Sequence, residues 1–468
     1  MDNNTYGDSR NSFSGSLGFV LASAGSAVGL GNIWRFPYLA ARDGGGLFLV
    51  LYILLAVTFG FTLLITEVAI GRRSRQGPLT AYRFFREKWA FIGYLSFMVP
   101  YIIYPYYCVI GGWVLKYLTT YIAENADTPV TDGYFTGFIS DLWSPIIYTA
   151  VFAIMCFYVV YKGVQKGIER YSRIIMPILL LMVIGICAYS LTISHTDANG
   201  VTRTGLQGVG VYLIPNFEGL TVKKFMMIAL DATGQLFYSL SIAMGIMVTY
   251  GSYMKRSVNL GKAVDRIEIF DTSIAILAGM MIIPAVYVFM GTEGMSAGPG
   301  LMFVALPKVF DSLGTFGGRA IGLIFFLTVT FAALTSAVSI LEATVASFMD
   351  KFDWSRRKAV IIMSTTGFIW SIVVCLGYNK LYFEYILPNG AKAQILDIFD
   401  YISNNVLMPF LAICTCIMIG WVVKPRLLIG EIRMNGYKFH RKKLYIIMLR
   451  YVVPVLLTIL LVSATGIF

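Results

Sequence analysis

About eleven runs of roughly twenty predominantly apolar residues, each long enough to cross a bilayer, decide what this chain can become. They fall near residues 16–40, 44–70, 91–122, 143–161, 173–191, 224–253, 265–291, 320–348, 359–376, 395–422 and 444–466. Inside hydrocarbon, backbone groups must bond to one another, and continuous apolar runs do so as helices. A membrane barrel would show short alternating segments instead. With 57% hydrophobic and 13% charged residues among 468, the chain leaves no room for a soluble domain. The expectation is an all-α, polytopic membrane protein.

The net charge of +12 does not point to nucleic acid, because its placement follows the membrane. Basic residues collect in alternate loops: Arg72, Arg73, Arg75, Arg83, Arg86 and Lys88; Lys162, Lys166, Arg170 and Arg173; Lys255, Arg256, Lys262 and Arg266. Two more follow, with Arg356, Arg357 and Lys358, then Lys424, Arg426, Arg433, Lys438, Arg441, Lys442 and Lys443. Such loops are cytoplasmic by the positive-inside rule, whereas the connection carrying Glu124, Asp127, Asp132 and Asp141 lies outside. The N-terminus is then cytoplasmic and the C-terminus extracellular, in a multi-pass protein of the plasma (inner) membrane. Residues 1–15 lack the basic start and cleavage pattern of a signal peptide, so the first span is expected to direct insertion. Six cysteines all fall within spans and read as small packing residues.

Two of the runs are interrupted. GSAVGLGNIWRFPY, residues 25–38, sets Gly25, Gly29 and Gly31 ahead of Asn32, Arg35 and Pro37, and DATGQLFYSLSIAMGIMVTYGSY, residues 231–253, carries Gly234, Ser239, Ser241 and Gly245. A helix broken at membrane depth loses backbone hydrogen bonds that a cavity or an ion must replace. Breaks in the first and sixth spans are corresponding positions of two five-helix halves, the mark of an inverted repeat with its site at the midplane. Close helix packing through Gly25 and Gly29 accounts for that pair but leaves Asn32, Arg35 and Pro37 unexplained. The divisions are then 1–15, 16–191 as the first repeat, 192–223 as an outer loop, 224–422 as the second repeat, and 423–468 as a loop with the eleventh span. Residues 292–319, rich in glycine, form either a lid folded into the vestibule or a flexible loop.

Ionisable groups at membrane depth are costly, by roughly 2.5–3.5 kcal/mol on insertion scales, and default to function or pairing. Arg35 ends the first span, and Asp397 and Asp400 begin the tenth; such groups either close over a substrate or form a static pair. Asp271 has no basic neighbour in its span, so either a bound cation neutralises it or burial keeps it protonated. Thr335 and Ser336 offer adjacent hydroxyls, either to one hard cation or back to their own helix. Glu67 either holds amides freed by a break or belongs to a structural network.

GSAVGLGNIWRFPY, the DGGG at Asp43–Gly46, GQLFYSLS and FAALTS together resemble the neurotransmitter:sodium symporter family, and within it the bacterial amino-acid transporters, over essentially the whole chain. The resemblance implies a five-plus-five inverted repeat and two sodium ions, with no organic cofactor. One ion would use the Ala27 carbonyl, Asn32, Ser239, Asp271 and the substrate carboxylate. The other would use carbonyls of Gly25, Val28 and Ala332 with the hydroxyls of Thr335 and Ser336. It further implies an amino-acid site formed by Ser26, Ala27, Gly29, Leu30, Gly31, Ile103, Tyr107, Tyr238, Ser239, Ser241, Met244, Ser336 and Ile340. In that site the carboxylate would meet the Gly29–Gly31 backbone and Tyr107. The resemblance also implies an outer gate of Arg35 with Asp400 above Tyr107 and Tyr238, and an inner gate of Arg10 with Asp350. Gly167 and Pro177 match a motif that lets the fifth span unwind; they equally describe a helix start and a proline kink.

Four positions depart from the family pattern. Phe13 stands where most members carry Trp, Tyr238 replaces the commoner Phe, Asp271 stands where many have Asn, and Ala275 lacks a hydroxyl that animal members use for chloride. A fixed carboxylate beside sodium can supply the charge that chloride otherwise brings, so chloride independence is expected. Monoamine carriers have Asp at the position of Gly29, and its absence favours a substrate with its own carboxylate. The implied function is sodium-coupled uptake of neutral, hydrophobic or aromatic, L-amino acids across the lipid bilayer. The competing reading is a sodium-dependent sensor that binds without transporting. An enzyme would need paired acid–base or metal groups at depth, which the two loop histidines do not supply.

Overall fold

A computed structural model describes residues 12–123, 127–196, 200–291, 300–388 and 390–466. Among them, nine helices are long and apolar enough to cross a membrane, and a pair bent by 55°, Ser16–Ala27 with Gly31–Arg42, makes a tenth. The sixth apolar run is divided more deeply. Val222–Ser239 and Ile246–Tyr253 are separate helices of 18 and 8 residues, joined by residues that leave the helix. The eleven apolar runs are thus nine continuous spans and two broken ones, the first and the sixth.

Large apolar side chains cover the outside of the bundle. Ile154 in the fourth span is 65% exposed and Leu181 in the fifth is 69% exposed, which only a lipid solvent accommodates without cost. Inside, small residues bring backbones together, as membrane packing requires. A Cβ at Gly71 would strike the Val248 carbonyl, and one at Gly251 would meet the Val68 backbone, so the second span and the inner half of the sixth lie in reciprocal contact. Gly111 and Gly112 do the same for the third span against Phe152 and Thr149 of the fourth. The third span, Ala90–Ala123, packs lengthwise on the eighth, Thr315–Phe352, and the two form the wall opposite the broken helices.

Two segments differ from their sequence reading. The fifth span begins at Val164, so Lys166, Arg170 and Arg173 ride on its first turns and not in a loop. Within 292–319, Leu301–Ala305 and Leu306–Asp311 are helical. Phe303 there is fully buried, stacked on Phe135 at 4.9 Å and edge-on to Trp34 at 6.5 Å, which anchors this part of the connection on the outer half of the first span. On the side of the basic loops, the connection between the tenth and eleventh spans is tied under the second by a buried ion pair, Arg72 Nε to Glu431 Oε1 at 2.8 Å.

Candidate functional site

The two breaks meet in the middle of the bundle. The first half-helix ends at Ala27, Val28 turns to extended backbone, and the second half restarts through a π-helical turn, Gly31–Arg35. In the sixth span, residues 240–245 leave the helix with Ser241, Ala243 and Gly245 at φ of 52°, 58° and 69°. Left-handed backbone at two non-glycine residues costs about 1–2 kcal/mol each, so the surroundings must hold it. They do: the freed Ala243 amide donates to Glu67 Oε1 at 2.7 Å, and Ser241 Oγ donates to the Ser26 carbonyl at 3.0 Å. Of the two readings of Glu67, this geometry is that of a carboxylate holding a broken helix.

Between the breaks lies a small cavity lined by Ser26, Ala27, Gly29, Gly31, Asn32, Ile103, Tyr107, Tyr238, Ser239, Ser241, Met244, Ser336 and Ile340. Leu30 does not line it and instead directs its backbone N–H to Tyr107 Oη at 3.4 Å. The glycines are there for room. A Cβ at Gly29 would lie 2.9 Å from Ser336 Oγ and 3.0 Å from Tyr107 Oη, and one at Gly31 would lie 2.5 Å from the Tyr238 ring. One end of the cavity is thus backbone, hydroxyl and amide; the walls from Ile103, Met244 and Ile340 are apolar.

Acceptors outnumber protons at two places beside this cavity. At the first, the Ser239 hydroxyl lies 2.8 and 2.9 Å from the two carboxylate oxygens of Asp271 and 3.0 Å from Asn32 Oδ1, one proton for three acceptors. Asn32 Nδ2 supplies one further donor, to Asp271 Oδ1 at 2.9 Å. All three residues are buried. At the second, Ser336 Oγ lies 3.4, 3.1 and 3.3 Å from the carbonyls of Gly25, Ser26 and Val28, again one proton for three acceptors. Beside it Thr335 Oγ1 donates back along its own helix, to the Phe331 and Ala332 carbonyls at 3.0 and 3.1 Å, and the Met176 sulfur packs against Gly25. Surplus oxygen in a buried pocket is chemistry that suits a hard cation. Ala27, at the end of the first half-helix, belongs to the cavity wall next to the first set.

The gate residues are arranged unequally. Arg35 and Asp400 form no ion pair: Asp400 accepts from Asn404 Nδ2 at 2.6 Å, while the Arg35 guanidinium lies beside Gly234. Asp397 receives the Gln394 N–H at 2.9 Å and so caps its own helix. Arg10 lies outside the described residues, and Asp350 accepts from the Gly77 N–H. Phe13 is buried against Phe19, Tyr250 and Tyr253, with ring centroids 5.5–6.2 Å apart. Gly167 and Pro177 both sit in a continuous helix, Val164–Thr192.

Three contacts had no counterpart in the sequence reading. Gln235 Nε2 donates to the Gly31 carbonyl at 3.1 Å, joining the two breaks. Arg42 pairs with Asp43 at 2.7 Å and with Asp231, linking the outer halves of the first and sixth spans. Glu169 receives the Ser14 N–H at 2.8 Å and Arg173 at 2.7 Å, pinning the N-terminal segment beneath the bundle. Gln235 stands within the GQLFYSLS motif and could have been found there, and Glu169 and Arg173 stand at the i,i+4 spacing of a helical ion pair; nothing in the spacing connects Arg42 to Asp231 or Ser14 to Glu169.

Comparison with known proteins gives a consistent result. The family model described as the sodium:neurotransmitter symporter family matches residues 10–129 and 139–467. An uncharacterized sodium-dependent transporter, YhdH, of Bacillus subtilis is 33% identical, over 96% of this chain and 97% of its own. The rat sodium- and chloride-dependent GABA transporter 2 is 27% identical, over 92% of this chain and 76% of its own. Among solved structures, that of MhsT in complex with L-phenylalanine matches with a TM-score of 0.84 and 34% identity, covering 97% of this chain and all of the other.

Proposed function

This chain belongs to the sodium:neurotransmitter symporter family, and from that premise we propose that it couples two sodium ions to the uptake of a neutral, hydrophobic or aromatic, L-amino acid without chloride. It is a sodium-dependent membrane transporter, not an enzyme. The observation that carries the finer reading is the surplus of oxygen around Ser239, at the lip of the cavity and built from both broken helices and Asp271. A cation there faces the same space as the substrate carboxylate, so each stabilises the other. That shared contact is the coupling: an ion that binds better with substrate makes substrate bind better by the same factor.

The polar end suits the amino-acid backbone. The carboxylate would be held by Tyr107 Oη and the amides at Gly29–Gly31, at the start of a half-helix whose dipole favours negative charge. The ammonium would meet carbonyls and hydroxyls of residues 238–241. Ile103, Met244, Ile340 and the Tyr238 ring leave an apolar space for the side chain, and the likeness to a transporter solved with L-phenylalanine supports the same substrate class. Sodium at the second set would hold the first and eighth spans together. Arg35 and Asp400 would close from the outer side, and Arg10 with Asp350 from the inner. Each inward positive charge contributes roughly 2.3 kcal/mol per 100 mV of inside-negative potential, so two ions support accumulation over several powers of ten.

Asp271 carries the chloride reading, since it provides a fixed negative charge within the first set and Ala275, one turn on, offers no hydroxyl. The test is uptake of a labelled amino-acid panel into proteoliposomes with and without an inward sodium gradient. Sodium-driven accumulation of aromatic or branched apolar amino acids is expected. Binding without accumulation would indicate a sensor, and indifference to sodium would overturn the site.

A further inference from the structure

Arg450 is a basic residue set within a membrane-length helix. It lies in the eleventh span, Lys442–Ala464, eight residues beyond Lys442, or about 12 Å along the helix, inside a π-helical turn, Met448–Val452. The facing part of the tenth span is also a π-helical turn, Met418–Val422. The two backbones approach because Gly420 has no side chain; a Cβ there would lie 3.3 Å from Arg450 Cγ.

Arg450 Nε donates to the Gly420 carbonyl at 2.8 Å, one of the last carbonyls of its helix and without an intrahelical partner. The guanidinium carbon stands 5.6 Å above the Trp421 ring, and Trp421 meets Tyr451 edge-on at 5.6 Å. Both aromatic rings are about half exposed, at 52% and 53%, to the surrounding membrane. Capping the tenth span uses one nitrogen only. The two terminal nitrogens have no hydrogen bond or ion pair among the described residues. They stand on the side of the lysine- and arginine-rich loops, where Lys424, Lys442 and Lys443 are also exposed.

A planar fork of free N–H groups matches a phosphate in bidentate geometry, and amphipathic aromatics mark headgroup depth. We propose that Arg450, Trp421 and Tyr451 form a binding site for the phosphate of an anionic phospholipid in the leaflet facing the basic loops, between the tenth and eleventh spans. The exposed lysines nearby favour a headgroup with net negative charge over a zwitterionic one. The inference holds whichever amino acid is carried.

The test is native mass spectrometry of purified protein titrated with phosphatidylglycerol or phosphatidylcholine. Wild type is compared with Arg450→Gln, with Arg450→Lys and with a Lys162→Gln, Lys166→Gln control at the start of the fifth span. Phosphatidylglycerol should bind Arg450→Gln about fivefold more weakly than wild type. Arg450→Lys should fall between, keeping the charge without the fork, and the control should retain the lipid. Equal retention by wild type and Arg450→Gln, or loss in the control alone, overturns the proposal. Wild type also provides a test that needs no variant: its melting temperature should rise saturably with phosphatidylglycerol and not with phosphatidylcholine, and an equal response to both lipids overturns the site.

Discussion

Replacing Asp271 by Asn isolates the charge from the geometry of the first cation set. Asn keeps an oxygen where Oδ1 accepts from Asn32 at 2.9 Å and from Ser239 at 2.8 Å, so the number of oxygen ligands hardly changes. What is lost is one negative charge. Since the oxygens of the set lie about 3 Å apart, a cation among them is within ~4 Å of that carboxylate. At an effective dielectric constant near 20 the attraction is about 4 kcal/mol, or roughly a thousandfold in sodium affinity. Part is returned because the sodium-free variant no longer buries an uncompensated charge, which leaves about 2–3 kcal/mol, near a hundredfold. The assay is thermal unfolding of purified protein against sodium concentration, with potassium holding ionic strength constant. Wild type should gain stability as sodium rises, by RT ln(1 + [Na+]/Kd), whereas Asp271→Asn should be as stable as wild type or more so without sodium and respond only at far higher concentration. A sodium response within threefold of wild type would refute the assignment of Asp271 as a ligand.

Gly29→Ala places a methyl 2.9 Å from Ser336 Oγ and 3.0 Å from Tyr107 Oη, so uptake should fall at least tenfold while the protein still purifies as a monodisperse species; normal kinetics would show that the cavity is not the substrate site. Replacing external chloride by gluconate should leave uptake unchanged, and collapse of transport would remove the role given to Asp271. Glu67→Ala strands the Ala243 amide beside two left-handed residues and should lower unfolding stability by about 1–3 kcal/mol, with Glu67→Gln recovering much of it because an amide oxygen can still accept.

How far the chain could be read in advance differs by the range of the interaction. The spans were legible because hydrocarbon forces each backbone to satisfy itself locally, and a run of twenty apolar residues has one way to do so. The breaks were legible for the same reason: glycines at 25, 29 and 31, and serines and glycine over 239–245, stand where a helix would otherwise continue. The Ser336 hydroxyl could equally have turned back on its own helix, and its spacing did not choose; in the structure it reaches carbonyls 308–311 residues away.

What the sequence determined by itself is therefore the membrane, the all-helical architecture and the two places where helices must open, since each follows from the energetics of a short segment in a known solvent. Tertiary structure alone decided which groups meet. Asn32 reaches Asp271 across 239 residues. Glu67, and no other acid, takes the Ala243 amide. Arg42 is the outer cation tied to Asp231, while Arg35 and Asp400 form no ion pair. A buried polar atom must find a partner, but which one depends on the packing of whole helices against one another, and that information is not local.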